Sequence, residues 1–442
     1  MPSKPPVEPP PASRRSRLRA LVVDVSPLRD SKQFRLLYFG QMVSFIGSQI
    51  TVVAVPVQVY SITRSTLDVG LLGLVQLVPL LLCSLLGGSI ADAFDRRKVL
   101  LVTQVLLALC SVGLAVNASL VHHLWIIYVL MAASAAFVGI DSPARNASVA
   151  RMVTAEQFSA AAALQQTLMQ VGVVVGPAIG GLLIAEVSIA AAFWVDVATF
   201  GAALTAVLLM KPLPPEHGGT KVGFASIREG VRYLKGRQAL QGTFVIDINA
   251  MVFGMPRAVF PELAARVFGG GPGTVGLLYA APGAGALFGA LGSGWVTRVR
   301  RQGLAVLVAV AVWGGAIALV GITPWLWLAL ALLAVAGAAD VVSAVFRNTI
   351  LQLSVPDRLR GRLSAIHLGV VQGGPRLGDA ETGAATAVIG PRGAVVTGGL
   401  ACVVGVAVIG RLMPGLARWT RASLADDPDL QPPPDLEGIA PA

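Results

Sequence analysis

Twelve apolar runs, most of them 20 or more residues long, fill this chain and leave it few ways to fold. A run of that length rises about 30 Å as helix, the thickness of a bilayer's hydrocarbon core. In lipid no water satisfies the backbone N–H and C=O groups, so each run must close its own hydrogen bonds as a helix. The runs fall at roughly 35–60, 68–91, 99–120, 124–148, 159–184, 188–210, 242–265, 274–297, 303–322, 325–347, 362–386 and 390–413. Only the gap after the sixth is long, which predicts six helices plus six. The expected fold class is an all-α membrane protein of twelve transmembrane helices in two pseudo-symmetric halves. Composition agrees: 13% of residues are charged, against about a quarter in soluble proteins, and the mean hydropathy is +0.73.

The two halves repeat one another. Arg145-Asn146 closes the fourth run and Arg347-Asn348 closes the tenth, 202 residues later. Each pair is followed by a short polar stretch and then a glycine-rich helix bearing Gly-Pro: Gly176-Pro177 first, Gly374-Pro375 second, 198 residues apart. Homologous membrane halves that rock against each other suit a transporter better than an enzyme.

The net charge of +11 raises the question of a nucleic-acid partner, and its distribution answers it. With a cytoplasmic N-terminus, only Arg64, Arg257, Arg266, Arg376 and Arg392 of the 34 Lys and Arg lie outside or within the bilayer. The basicity therefore sets topology by the positive-inside rule and predicts cytoplasmic termini, with no nucleic acid as partner. Ser13 to Arg19 loosely resembles a twin-arginine export signal. The apolar segment after it, Ala20 to Val25, is short and interrupted by Asp24, so it reads as a basic tail. Cys83, Cys110 and Cys402 lie dispersed in apolar helices and read as packing residues.

The expected organisation is a disordered basic tail over 1–33, a six-helix half over 34–210, a cytoplasmic linker over 211–240, a second half over 241–413 and a tail over 414–442. Within the linker, Phe224, Ile227, Val231 and Leu234 recur at helical spacing opposite Arg228, Arg232 and Lys235. That pattern predicts an amphipathic helix, lying on the membrane surface or packed on the bundle's cytoplasmic face.

The most specific local signal is Gly88-Ser89-Ile90-Ala91-Asp92-Ala93-Phe94-Asp95-Arg96-Arg97-Lys98, between the second and third runs. Here the chain resembles the major facilitator superfamily, whose loop signature is Gly-x-Leu-Ala-Asp-Arg-x-Gly-Arg-Arg/Lys. Gly88, Asp92, Arg96 and Arg97 match, whereas Ala93 stands for the usual arginine and Asp95 for the usual glycine. The resemblance implies a conformational latch that joins the halves on the cytoplasmic side when the carrier opens outward. Gly172, Gly176, Pro177, Gly180 and Gly181 in the fifth run look like the superfamily's antiporter signature, which implies export. Glycines four apart also admit another helix to the backbone, whatever the function. From Phe34 to about Met413 the chain resembles the branch that holds the bacterial enterobactin (siderophore) exporters. Arg257 with Phe260-Pro261, Gly361-Arg362 and Gly378-Asp379-Ala380 carry that likeness into the second half.

Ionisable residues inside spans are costly and are functional candidates. Asp141 and Arg145, four apart, can pair on one helix face, and are expected to form a gating pair with the latch. Arg376 and Asp379, three apart, can pair likewise. Asp196, Asp247 and Asp340 have no partner within a helical turn; a helix-packing hydrogen bond is the plainer role for Asp196. Asp247, Arg257, Arg376 and Asp379 are the candidates for proton coupling or the cavity wall, with Asp247 ranked above Asp379 as carrier because its charge lacks compensation in its own helix. Of the four histidines only His367 falls in a functional part of a helix.

These readings converge on a secondary transporter of the bacterial inner (plasma) membrane that exports amphipathic small molecules against protons. A drug pump without siderophore specificity is the near alternative, and a non-transporting sensor on a carrier fold the remote one. No H-E-x-x-H or paired His/Cys set suggests an enzyme or a metal, and no G-x4-G-K-[ST] loop suggests ATP use. The expected partners are a small-molecule substrate, the lipid bilayer and protons as coupling ion; no cofactor is expected, and the chain is expected to act as a monomer.

Overall fold

The computed structural model describes residues 24–214 and 224–420. Most of the two expected tails and the middle of the linker lie outside the described residues.

The first six membrane helices are α1 (Lys32–Thr63), α2 (Thr66–Ala93), α3 (Arg96–Val116), α4 (Leu124–Val149), α5 (Phe158–Glu186) and α6 (Ile189–Leu208). A π-helical turn, Asn117–Val121, extends α3. The second half opens with α7 (Gln238–Arg266), then α8 (Pro272–Leu291), α9 (Gln302–Ile322) and α10 (Leu326–Leu353). The helical stretch Asp357–Leu412 is two spans, α11 (357–389) and α12 (391–412), divided at Gly390. Gly390 has φ 75° and ψ 170°, a conformation that L side chains rarely adopt, and Pro391 starts the next helix. The twelve-helix arrangement in two halves is thus present. The eighth span is shorter than its apolar run: α8 stops at Leu291, and Ser293–Arg298 forms a 3-10 turn.

Contacts show the pseudo-symmetry directly. In the first half α1 packs on α5 and α6, α2 on α4, and α3 on α4 and α6. The second half repeats this with α7 on α11 and α12, α8 on α10, and α9 on α10 and α12. Between halves, α2 meets α11 and α5 meets α8, two contacts that the pseudo-two-fold exchanges.

Helix α7 is interrupted. Gly254 ends its first segment, Pro256 removes a donor, and a 3-10 turn at Arg257–Val259 leads into Phe260–Arg266. A freed backbone group in a membrane interior must find a partner. Gly254 O accepts the indole N–H of Trp313 at 2.8 Å, and Arg257 O accepts the hydroxyl of Tyr279 at 3.0 Å. The break places Arg257 on the wall of the interior.

The buried apolar core is not uniform along the membrane normal. One cluster joins Ile50–Tyr60, Val69 and Leu72 of the first half to the whole second half. The other end of the first half, around Phe34, Leu100, Ala144 and Leu168, forms a separate cluster of its own. Among the described residues the buried core therefore joins the halves at the end away from the basic 88–98 loop and does not join them at the basic end.

The linker helix, Phe224–Leu234, packs on the basic end of the second half. Glu229 pairs with Arg362 at 2.5 Å, and the Tyr233 hydroxyl donates to Ser354 O at 3.4 Å. Of the two placements open to an amphipathic helix, it takes the one against the bundle.

Candidate functional site: a cavity between the halves

A cavity of about 570 Å³ lies between the two halves. Its walls come from α1, α2, α3, α4, α5 and α6 on one side and from α7, α8 and α11 on the other. The first-half wall is largely apolar, with Val52, Val55, Leu72, Leu107 and Met131 among its residues. Its one acid is Asp196, whose carboxylate accepts the hydroxyls of Thr51 (2.8 Å) and Ser111 (2.7 Å). These bonds tie α1, α3 and α6 together, in keeping with the packing role.

The second-half wall carries the charge. Arg257 Nη2 lies 2.8 Å from Asp379 Oδ2, joining the break in α7 to α11. Arg376 lines the same cavity, and its Nη1 donates to Gln372 O at 2.5 Å. Asp379 therefore pairs across helices with Arg257, and not with Arg376 one turn away, which corrects the pairing expected from spacing. The reason is direction: Arg376 turns back along α11 onto a carbonyl of its own helix, while the α7 break aims Arg257 at the carboxylate. This wall thus carries two guanidinium groups and one carboxylate, and the carboxylate is paired with Arg257.

The far end of the cavity is closed by small residues and one polar bridge. A Cβ on Gly276 of α8 would lie 2.7 Å from Gly181 Cα and 2.6 Å from Pro177 O, so only glycine allows α5 and α8 this close. Gly181 is thereby placed at the junction of the halves, whereas Gly172, Gly176 and Gly180 face Phe45, Gln49 and Ile50 of α1. Thr66 of α2 donates a hydrogen bond to Glu262 of α7, which also pairs with Arg266 at 2.9 Å.

The 88–98 loop occupies the opposite end. Asp95, where the superfamily signature has glycine, caps α3: its carboxylate accepts the N–H of Arg97 (2.9 Å) and of Leu213 (3.0 Å). Arg97 donates to Val207 O and Leu208 O at the C-terminus of α6, where a cation suits the helix dipole. Arg96 reaches Ala91 O and Ala147 O and lies 3.8 Å from the half-exposed Asp92. Gly88 has open space around its α-carbon. Arg145 pairs with Asp141 at 2.5 Å, and Asp141 Oδ1 also accepts from Thr103 (2.7 Å) and Gln104 (3.1 Å). Among the described residues, the bonds of these charged side chains stay within the first half, save that of Asp95 to Leu213 at the start of the linker. Arg96 is not part of the Asp141–Arg145 pair.

Asp247 is corrected more sharply. It is fully buried, and Arg347 Nη2 of α10 lies 2.9 Å from its Oδ1. The premise that its charge lacks compensation fails, because the partner comes from another helix. Asp340, seven residues before Arg347, lies 3.6 Å from the same nitrogen. Arg347 was the main residue missed, although its repeat partner Arg145 was read as half of an ion pair. The spacing of seven is two full turns, so the face shared by Asp340 and Arg347 was visible in principle. Tyr279, Thr51 and Ser111 gave no signal beyond being polar in apolar runs.

A carrier fold with a charged pair in a central cavity, closed at one end, defines a membrane transporter of the major facilitator type. Comparison with known proteins agrees. Residues 23–435 match the model of the family described as transmembrane secretion effector, and the chain belongs to that family. It is 28% identical over 393 residues to the enterobactin exporter EntS of Shigella boydii serotype 18, covering 89% of this chain and 93% of that protein. The same figures hold for EntS of Escherichia coli O139:H28. Among solved structures, the fold matches a bacterial homologue of the human lysosomal transporter Spinster in an inward-facing, unoccupied conformation. That match has a TM-score of 0.65 at 16% identity and covers 93% of this chain and all of that one. A peptide transporter POT solved with sulfate gives 0.72 at 11% identity, over 92% and 100% of the two chains. The protein is a multi-pass membrane transporter.

Proposed function

We propose that this protein exports amphipathic, siderophore-like small molecules across the bacterial inner membrane by proton antiport with alternating access. The observation that supports the reading best is the central cavity: apolar on one wall, bearing Arg257, Arg376 and Asp379 on the other, and sealed at the far end. An amphiphile with anionic oxygens matches both walls at once. The likeness to the enterobactin exporters supports the substrate class, and the positive-inside count supports a cytoplasmic side for both termini and the basic end. In that orientation the cavity loads from the cytoplasm. Release outward requires parting Gly181 from Gly276 and Thr66 from Glu262, while the basic end closes.

The 88–98 loop then has its role in the opposite state. Asp92, about two-fifths exposed and, among the described residues, held only by Arg96 at 3.8 Å, is available to meet the second half when the basic ends come together. Arg97 and the Asp141–Arg145 pair keep the loop's base in shape in both states.

The test is transport by everted membrane vesicles containing this protein as the only added exporter. On energisation they should accumulate enterobactin in preference to a panel of cationic drugs, and a protonophore should abolish the accumulation. Accumulation of the drugs without enterobactin would replace this reading by the drug-pump alternative. Enterobactin accumulation that survives collapse of the pH gradient would remove the proton from it. Reporter fusions that placed residues 211–214 outside would overturn the orientation.

A further inference from the structure

Behind the cavity wall, in the interior of the second half, α7, α10 and α11 bring four ionisable side chains together. Asp247 of α7 is completely buried, and neither of its carboxylate oxygens has a hydrogen-bond partner beyond the ion pair with Arg347. Arg347 of α10 is 3% exposed; its Nη2 serves Asp247 at 2.9 Å and Asp340 at 3.6 Å, and its Nη1 donates to Ser343 Oγ at 3.0 Å. His367 of α11 places Nδ1 3.9 Å from the second oxygen of Asp247, with its ring edge-on to Phe244. None of the four lines the cavity.

The charges do not balance. Two carboxylates face one guanidinium; helices α8 and α9, which also pack on α10, carry no Asp, Glu, Lys, Arg or His within Pro272–Leu291 or Gln302–Ile322, and the 3-10 turn Ser293–Arg298 against α10 brings only the exposed Arg298. A full ionic state would leave one uncompensated negative charge on a cluster whose Asp247 and Arg347 are sealed from water, which is unfavourable within a membrane span. One further positive charge restores neutrality. Among the described residues no group of three His, Cys, Asp or Glu side chains is placed to hold a metal ion, and a proton on one carboxylate restores neutrality without one.

We propose that Asp247, Asp340, Arg347 and His367 form a proton-binding site of the second half that holds one exchangeable proton, on Asp340 with His367 as a second station. Asp247 and Arg347 are sealed, whereas Asp340 is about one-third exposed and His367 about one-fifth, so these two are the members that water reaches. The proton enters from water onto an Asp340 carboxylate oxygen and leaves by the same route. Asp247 is thereby the fixed counter-charge of the site and not its carrier.

The position of the site gives it a lever on the cavity. Helix α7 bears Asp247 below its break and Arg257 at it, while α11 bears His367 and, twelve residues on, Asp379. The same two helices are therefore joined at two levels, once in the proton site and once by the Arg257–Asp379 pair in the cavity. Gaining or losing the proton changes the first joint, and an anionic guest competing for Arg257 changes the second. This link to transport rests on the antiport reading; the existence of the proton site does not.

Infrared difference spectroscopy of the purified full chain, from neutral to alkaline pH, tests the site without any transported molecule. The wild type should lose one protonated-carboxyl signal that Asp340→Asn lacks. Asp247→Asn should lack it too, since removing either acid leaves a balanced one-to-one pair, and it serves as the second variant if Asp340→Asn does not fold. His367→Gln should keep the signal and shift its titration midpoint. A signal that persists in Asp340→Asn or in Asp247→Asn, or a midpoint unmoved by His367→Gln, overturns the proposal. Enterobactin transport under an imposed pH gradient separates the two readings. If the infrared signal behaves as expected but the gradient does not drive the wild type, the site stands and antiport falls. If the gradient drives wild type and Asp340→Asn alike, the link from this site to transport falls and antiport stands.

Discussion

Each half of this protein buries an arginine at the same place in the repeat, and the two are used differently. Arg145 meets one carboxylate, Asp141, on its own helix, and the second oxygen of that carboxylate is satisfied by Thr103 and Gln104. Arg347 meets two carboxylates, one of them from another helix, and neither oxygen of Asp247 has a hydrogen-bond donor beyond that ion pair. At the position where the first half has Asp141, four residues before its arginine, the second half has Ser343. The first pair is local, balanced and saturated, as suits a structural clamp. The second is assembled across helices, carries an excess of acid, and lies beside the helices that hold the cavity's charged pair. The proposed reading therefore puts the working charge of this duplicated scaffold in the second half.

The largest effect expected separates the two arginines. Arg347→Ala strands two acids in the interior and should cost about 3–5 kcal/mol of stability. Arg145→Ala leaves Asp141 with two donors and should cost about 1–3 kcal/mol. Thermal unfolding in detergent ranks them, and equal losses would erase the contrast. Next comes the seam where the halves touch. Gly276→Val forces a side chain against Gly181 and Pro177 O, which should disfavour the far-end-closed state by about 1–3 kcal/mol. Cysteine cross-linking between α2 and α11 at that end should fall accordingly, with amounts in the membrane unchanged. A smaller effect is expected in the first-half wall. Ser111→Ala removes one of the two hydroxyls on Asp196 and should lower stability by about 0.5–1.5 kcal/mol in the same unfolding measurement. The smallest is at the loop, where Arg97→Ala loses a cation at the end of α6, worth about 0.3–1 kcal/mol by the same unfolding measurement.

Much of the architecture was legible because lipid allows so few solutions. Twelve apolar runs, one long gap and a repeat of about two hundred residues define the helices and the halves before any contact is known. Ion pairs were legible only where they are local. Asp141–Arg145 follows from a spacing of four, but the same reasoning paired Asp379 with Arg376 and left Asp247 alone. Both errors have one cause: the true partners, Arg257 and Arg347, lie on other helices, and helix rotation decides which acid faces which cation. The break in α7 is marked by Gly254 and Pro256, yet its consequence, the aim of Arg257 into the cavity, needs the geometry. The sealing of one end is a property of a conformation, so no sequence pattern could show which end is closed.

The central claim is that the second half carries the working charge and the first half's buried charges hold shape. The most direct measurement is the rate of enterobactin accumulation by energised everted vesicles, normalised to folded protein, for Asp379→Asn and Asp141→Asn. The expected result is that Asp379→Asn, which leaves Arg257 without its ion-pair partner and the wall with no carboxylate, loses accumulation altogether, while Asp141→Asn keeps most of the wild-type rate per folded molecule. Accumulation that survives in Asp379→Asn and is lost in Asp141→Asn would contradict it.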